Sequence, residues 1–227
     1  MAKKKQTEKT EEQMMAVEGA LSKTEQYIEN NRNLLSAIVG GIILIILAYF
    51  GYHRLYLEPR EQEATSQIFV AERYFEQDSL NLALNGDGQY PGFLDIIDDY
   101  GMTKTGNLAN YYAGVSYLKL GEYEKAIDYL NEFKGDGNIV EVWAIGKIGD
   151  AYLELGEMEK ALDFYLKAAN EIDNTFSTPH FLMKAGQTSE LIGNNQKALE
   201  LYERIQQDYP QSKENRNIER YIARVQG

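Results

Sequence analysis

Residues 107–130 read NLANYYAGVSYLKLGEYEKAIDYL, residues 142–165 read VWAIGKIGDAYLELGEMEKALDFY, and residues 179–202 read PHFLMKAGQTSELIGNNQKALELY. Laid over one another, the three segments share four identical columns: Gly114, Gly149 and Gly186; Gly121, Gly156 and Gly193; Lys125, Lys160 and Lys197; Ala126, Ala161 and Ala198. A fifth column is always bulky, with Leu130, Tyr165 and Tyr202. Every column steps by 35 and then by 37 residues, so the chain repeats a structural unit. The first glycine stands where a second helix must come close. The second follows an apolar run and supplies a turn, the alanine allows tight contact, and the bulky column fills the space between helices. Each unit is therefore predicted to be a helical hairpin, with the lysine column on a solvated face.

Upstream, Gly92 and Ile96 stand 34 residues before Ala126 and Leu130, which predicts a degenerate repeat over 73–100 with Leu80 and Asp87 in the two glycine columns. A helix is expected to continue or restart at Pro59, a favoured first-turn residue, and to bury a stripe of Ala64, Ile68, Ala71 and Phe75. Asn85-Gly86-Asp87-Gly88 closes that unit, and a shorter helix with Phe93, Leu94, Ile96 and Ile97 follows. Downstream, Ser212 is expected to cap a last helix with Ile218, Tyr221, Ile222 and Val225 on one face, covering the edge of the stack.

Leu34 to Tyr52 is LLSAIVGGIILIILAYFGY, nineteen residues without a charge. At about 1.5 Å per residue it reaches roughly 28 Å, close to the ~30 Å hydrocarbon thickness of a bilayer. A buried core helix would carry a polar face, and this run is apolar all round. A cleaved leader would have a shorter apolar core and small residues at its exit, where this chain has Ala48-Tyr49-Phe50-Gly51. The reading is an uncleaved signal anchor. Ser36 with Gly40 and Ala37 with Gly41 form two small-xxx-small pairs on one side, the pattern that lets a second membrane helix approach.

Residues 1–33 carry six Lys or Arg (Lys3, Lys4, Lys5, Lys9, Lys23, Arg32) against six Glu, so the net charge of −12 falls on residues 53–227. Such an acidic domain is repelled by nucleic acid and by anionic lipid. The basic residues of the tail outweigh Arg54 and Arg60 beyond the span, which favours a cytoplasmic N-terminus and an exported domain. Between Gln13 and Asn30, Val17, Ala20, Leu21, Thr24 and Ile28 share a helical face, predicting a short amphipathic helix that lies on the membrane, docks on a partner or simply spaces the tail. The chain has no cysteine, which excludes disulfides, thiolate chemistry and cysteine metal sites. No HExxH, GxSxG or phosphate-loop pattern occurs, and His53 and His180 are far apart in sequence. Asp95, Asp98 and Asp99 read as a solvated helix face, and the Asn-Gly-Asp-Gly turn lacks the spacing of a calcium loop. No enzyme, cofactor or metal is expected.

The repeated columns resemble the tetratricopeptide repeat, whose nominal period is about 34 residues. The extra one and three residues fall in the turns at Gly135-Asp136-Gly137 and Asp173-Asn174-Thr175. The family's Trp position is Asn110, Ile145 and Leu182 here, and its terminal Pro appears only as Pro210. The resemblance implies an α-solenoid in which the first helix of each hairpin lines a concave, protein-binding surface. By analogy its exposed positions include Leu108, Tyr111, Val115, Leu118, Trp143, Asp150, Leu153, His180 and Met183. Two readings of this set stay open: an apolar groove for an extended or helical segment, or core positions, with Leu118 and Trp143 packed inside or beneath the 58–77 helix. Where carboxylate-clamp members of the family place Lys and Asn, this chain has Tyr111 and Val115, which argues against an acidic C-terminal peptide as ligand.

The expected order is a cytoplasmic tail with a short amphipathic helix over 1–33 and a transmembrane signal anchor over 34–52. A linker helix and degenerate repeat fill 53–106, three tetratricopeptide-like repeats fill 107–211, and a capping helix fills 212–227. The chain is all-α, with about four hairpins. In this topology it resembles the YfgM-like ancillary subunits of the Sec translocon across nearly its whole length. That resemblance implies a single-pass protein of the bacterial inner membrane with a periplasmic domain, partnered by the SecYEG channel, a PpiD-type chaperone and exported chains. The alternative is a scaffold for another envelope assembly, such as cytochrome maturation, secretion or motility machinery.

Overall fold

The computed structural model describes residues 26–227, in which there is no strand. The amphipathic helix expected over 13–30 lies outside the described residues as far as residue 25, and residues 26–30 are helical. The chain divides into two units, Met1–Tyr56 and Leu57–Gly227. In the first, helix α1 (Arg32–Tyr52) buries none of its residues, and Leu44 and Ile45 are 67% and 71% exposed. It is long and apolar enough to cross a membrane. A single π-helical turn, His53–Leu57, follows it.

The second unit opens with α2 (Glu58–Glu76), in which Pro59 follows closely on the π-helical turn, so the helix continues through the proline rather than restarting at it. Its stripe of Ala64, Ile68 and Ala71 is buried and Phe75 packs beside it. After α3 (Leu80–Asn85), Gly86 at φ +74° turns the chain into α4 (Phe93–Tyr100). The segment 73–100 thus holds a six-residue first helix where the later repeats have a long one. Asp87, in the turn-glycine column, holds its turn through the carboxylate instead, accepting from the Gln89 and Tyr90 amides at 2.9 and 2.8 Å. Helices α2, α3 and α4 share a core with α5 (Lys104–Leu120), built on Ile68, Leu84, Phe93, Ile96, Ala109 and Ala113. Glu61 ties α2 to the start of α5, accepting from the Lys104 amide at 2.6 Å and the Thr105 hydroxyl at 2.8 Å.

Three long hairpins follow: α5 with α6 (Tyr123–Glu132), α7 (Ile139–Glu154) with α8 (Met158–Glu171), and α9 (Ser177–Ile192) with α10 (Asn195–Asp208). Each is closed in the same way. Gly121, Gly156 and Gly193 sit at φ +80°, +76° and +83°. The amide after each glycine bonds back five residues, Glu122 to Tyr117, Glu157 to Tyr152 and Asn194 to Ser189, at 2.9, 2.9 and 2.8 Å. These are Schellman closures, which satisfy the last helical carbonyls and require a residue content in the left-handed region. Gly193→Ala is expected to destabilise the third hairpin by about 1–2 kcal/mol, read as a lower urea midpoint with unchanged slope.

Inside each hairpin the mid-helix glycine is the seat of the bulky column. A Cβ at Gly114 would lie 2.6 Å from Leu130, one at Gly149 2.8 Å from the Tyr165 ring, and one at Gly186 2.4 Å from the Tyr202 ring. Ala126, Ala161 and Ala198 are fully buried on the facing helix. Two of the three lysines of the column are solvated: Lys125 and Lys160 are more than half exposed, fold back on Glu122 and Glu157, and lie over the Tyr117 and Tyr152 rings, whereas Lys197 is 32% exposed and pairs with Glu200. The last helix starts later than position 212. Ser212 does not cap it: Ser212 Oγ accepts from the Asn215 amide inside a 3-10 turn (Glu214–Asn217) whose N-cap is Lys213, after which α11 (Ile218–Gln226) sets Ile218 and Val225 into the third-repeat core. Arg224 on α11 donates twice to Glu190 on α9, at 2.7 and 2.6 Å.

Candidate protein-docking site

The stacking of the hairpins sets α5, α7 and α9 side by side, since α7 packs against both of the others. Between them lies a cleft of about 300 Å³ lined by Leu118, Tyr123, Asp150, Leu153, Glu154, Tyr165 and Lys184. Its floor is a polar network centred on Asp150, whose side chain is 18% exposed. Lys147, one helical turn before it, reaches one carboxylate oxygen at 2.9 Å, and Lys184 from the next hairpin reaches the other at 2.8 Å. Tyr165 donates its hydroxyl to the same oxygen as Lys184, at 2.9 Å. Burial pushes the Asp150 carboxyl up, but the two ammonium groups and their hydrogen bonds outweigh it and hold the group below the ordinary carboxylate range. Burial, with the neighbouring Asp150 charge, raises the Tyr165 hydroxyl far above its usual value, so it stays a donor.

The residues expected on the concave surface fall into three sets. Leu118, Asp150 and Leu153 meet in the cleft. Tyr111, Trp143, His180 and Met183 are half-buried and lie outside its lining. The Tyr111 ring packs on Tyr112 and Phe133, with centroids at 5.7 and 5.6 Å, and burial raises its hydroxyl. Trp143 packs on Phe176, His180 and Phe181 at 5.9, 5.2 and 5.2 Å. His180 Nδ1 stands 3.6 Å from the Glu214 carboxylate; burial first, then Lys184 and Lys213, lower its pKa, so the ring is neutral at pH 7. Met183 leans on the third-repeat core, and Leu108 is half-buried away from the cleft lining.

Val115 departs from the expectation. It is 8% exposed and packed with Ile127, Leu130, Ala144 and Ile148, because the second hairpin leans over that turn of α5. It belongs to the core between hairpins and not to a groove. In the other unit, Ser36 and Ala37 are exposed, Gly40 and Gly41 are intermediate, and a Cβ added at either glycine meets no atom within 4 Å.

Four cleft residues went unnoticed in the sequence: Tyr123, Glu154, Tyr165 as a hydrogen-bond donor, and Lys184. Lys147 and Lys184 are 37 residues apart, the same step as the identical columns, and this was a legible sign that they occupy equivalent places on adjacent first helices.

Comparison with known proteins agrees with this geometry. Profiles of the tetratricopeptide repeat match residues 108–136, 144–172 and 181–212, one for each long hairpin. Among solved structures, the nearly identical tetratricopeptide-like repeats of a putative kinesin light chain from Podosopora anserina superpose with a TM-score of 0.54 at 13% identity, covering 72% of this chain and 85% of that one. A single-substitution variant of the same protein gives 0.55, covering 72% and 84%. No curated protein sequence matches the chain. The three long hairpins thus match the tetratricopeptide repeat, and the described residues form an all-helical, tetratricopeptide-like solenoid preceded by one apolar helix.

Proposed function

We propose that this chain of tetratricopeptide repeats is a membrane-anchored, non-catalytic adaptor of the bacterial envelope, an ancillary subunit of the Sec translocon that works beside a PpiD-type chaperone where exported chains emerge. The observation that carries the reading is the pairing of one apolar helix, Arg32–Tyr52, with a repeat domain whose first helices form an open cleft. Repeats of this type present surfaces to protein partners, which makes an interaction scaffold the general class of function. The uncleaved anchor, its cytoplasmic N-terminus and the periplasmic placement of the repeats rest on the charge bias around the span. The small-residue face at Ser36, Ala37, Gly40 and Gly41 would then hold the anchor beside other membrane helices.

Affinity purification of the full chain in mild detergent is expected to recover SecYEG or the chaperone in amounts that survive a high-salt wash. Recovery of neither, together with a clean preparation of a cytochrome-maturation, secretion or motility complex, would move the protein to the alternative scaffold role. Protease applied to sealed inner-membrane vesicles of known orientation reports the topology independently, and an accessible tail on the periplasmic side would overturn the reading.

A further inference from the structure

The charges of the cleft are unequally satisfied. Asp150 and Lys184 answer one another at 2.8 Å, and Lys147 adds a second cation to the same carboxylate. Both ammonium groups of the floor are already engaged by the one carboxylate of Asp150. Glu154 at the rim is exposed, and its carboxylate receives the Tyr123 hydroxyl at a long 3.4 Å. Beside it the walls are the Leu118 and Leu153 side chains and the Tyr123 ring. Above the polar floor, the rim is thus a short apolar strip ending in a carboxylate that forms no ion pair among the described residues.

Resting on the docking function above, we propose that this cleft takes a lysine or arginine side chain from an extended segment of a protein partner. The methylene stem lies along Leu118, Leu153 and Tyr123 and the cationic head meets Glu154. Long basic side chains are built for such a place, with an apolar stem and a head that stays wet. A volume of about 300 Å³ suits one long side chain, at the small end of the roughly 300–1,000 Å³ range of ligand pockets. The domain as a whole has the matching sign, with the net charge of −12 lying on residues 53–227, against the one net positive charge of Lys147, Lys184 and Asp150 at the cleft floor; at long range it attracts cations and steers acidic segments away.

The test uses the full chain in nanodiscs and three fluorescent twelve-residue Gly/Ser peptides whose centres read Leu-Lys-Leu, Leu-Glu-Leu and Leu-norleucine-Leu. The Lys peptide is expected to bind with a Kd below about 1 mM, and the other two at least about tenfold more weakly. Glu154→Lys is expected to weaken the Lys peptide about tenfold or more and to strengthen the Glu peptide, while Glu154→Gln gives a smaller loss. Glu219→Lys, the same charge change on α11, should leave all three within about twofold. Circular dichroism checks that each variant is folded. Equal losses from Glu154→Lys and Glu219→Lys, tighter binding of the Glu peptide, or no binding of the Lys peptide would each overturn the assignment. Failure here with the translocon still co-purifying removes the cleft chemistry alone, whereas peptide binding through Glu154 without translocon recovery removes the Sec role and keeps the cleft.

Discussion

Tyr202→Ala is expected to unravel the third hairpin and α11 under conditions where the rest of the array stays folded. The ring is fully buried and fills the space opposite Gly186, so its loss leaves a cavity that neither helix can close without moving. Large aromatic-to-alanine changes of this kind cost about 3–5 kcal/mol, against a total stability of roughly 5–15 kcal/mol for a domain. The hydroxyl also donates to Glu190 at 2.5 Å, and Glu190 is the residue that holds Arg224 of α11. Tyr202→Phe separates the two effects. It keeps the packing and is expected to cost only about 0.5–1.5 kcal/mol, the worth of one hydrogen bond. Repeat arrays unfold by nearest-neighbour coupling, so hydrogen exchange is the better readout: amides of α10 and α11 should lose protection in Tyr202→Ala, with those of α2 to α5 unchanged.

The second large effect is at Asp150. Asp150→Ala leaves Lys147 and Lys184 facing the same space without their counter-charge and strips the Tyr165 hydroxyl of its acceptor. Removing one member of a fully buried ion pair costs about 3–5 kcal/mol. The lysines here are about 30% exposed, so about 2–4 kcal/mol is expected in urea denaturation at pH 7. Asp150→Asn retains an acceptor for Tyr165 and should lose less.

The pH dependence isolates what the Asp150 carboxylate itself contributes. An unfolded aspartate takes up its proton near pH ~3.9, while the folded Asp150 carboxyl, although burial opposes it, is held lower by Lys147 and Lys184. As pH falls below about 4 the unfolded state binds protons first, and the stability this group contributes is lost through the depressed folded value; above that range it is fully present. The acid limb of the Tm-versus-pH curve should therefore be shallower in Asp150→Asn than in the parent. Glu190 is also held low: burial opposes, but hydrogen bonds from Arg224 and Tyr202 prevail, so part of the limb persists in that variant.

What the sequence revealed about the fold follows from the fact that hairpin geometry is local. The turn glycines and the glycine opposite a bulky residue are demands made within about twenty-five residues, and they recur because each hairpin meets the same steric problem. The segment before Lys104 was harder to read, because Asp87 solves its turn by side-chain hydrogen bonds and α3 has only six residues. Whether Val115 and Trp143 face a groove depends on how neighbouring hairpins lean on one another, which no periodicity inside one hairpin records. The Asp150 network was missed for the same reason: Lys184 lies 34 residues away and is brought to Asp150 only by the stacking.

The junctions between hairpins are not held together in the same way. The second and third hairpins are cross-linked by directional bonds, Lys184 to Asp150 at 2.8 Å, Arg204 to Asn170 at 3.2 Å and Tyr209 to Asp173. Between the first and second, the contact is a small apolar core of Val115, Ile127, Leu130, Ala144, Ile148 and Ala151, bridged at the rim by Tyr123 to Glu154 at 3.4 Å. Apolar surfaces slide with little penalty for angle, whereas short charge-assisted bonds resist it. Bending of the solenoid under tension from a bound segment is therefore expected first at the junction of the first and second hairpins, with the third following the second.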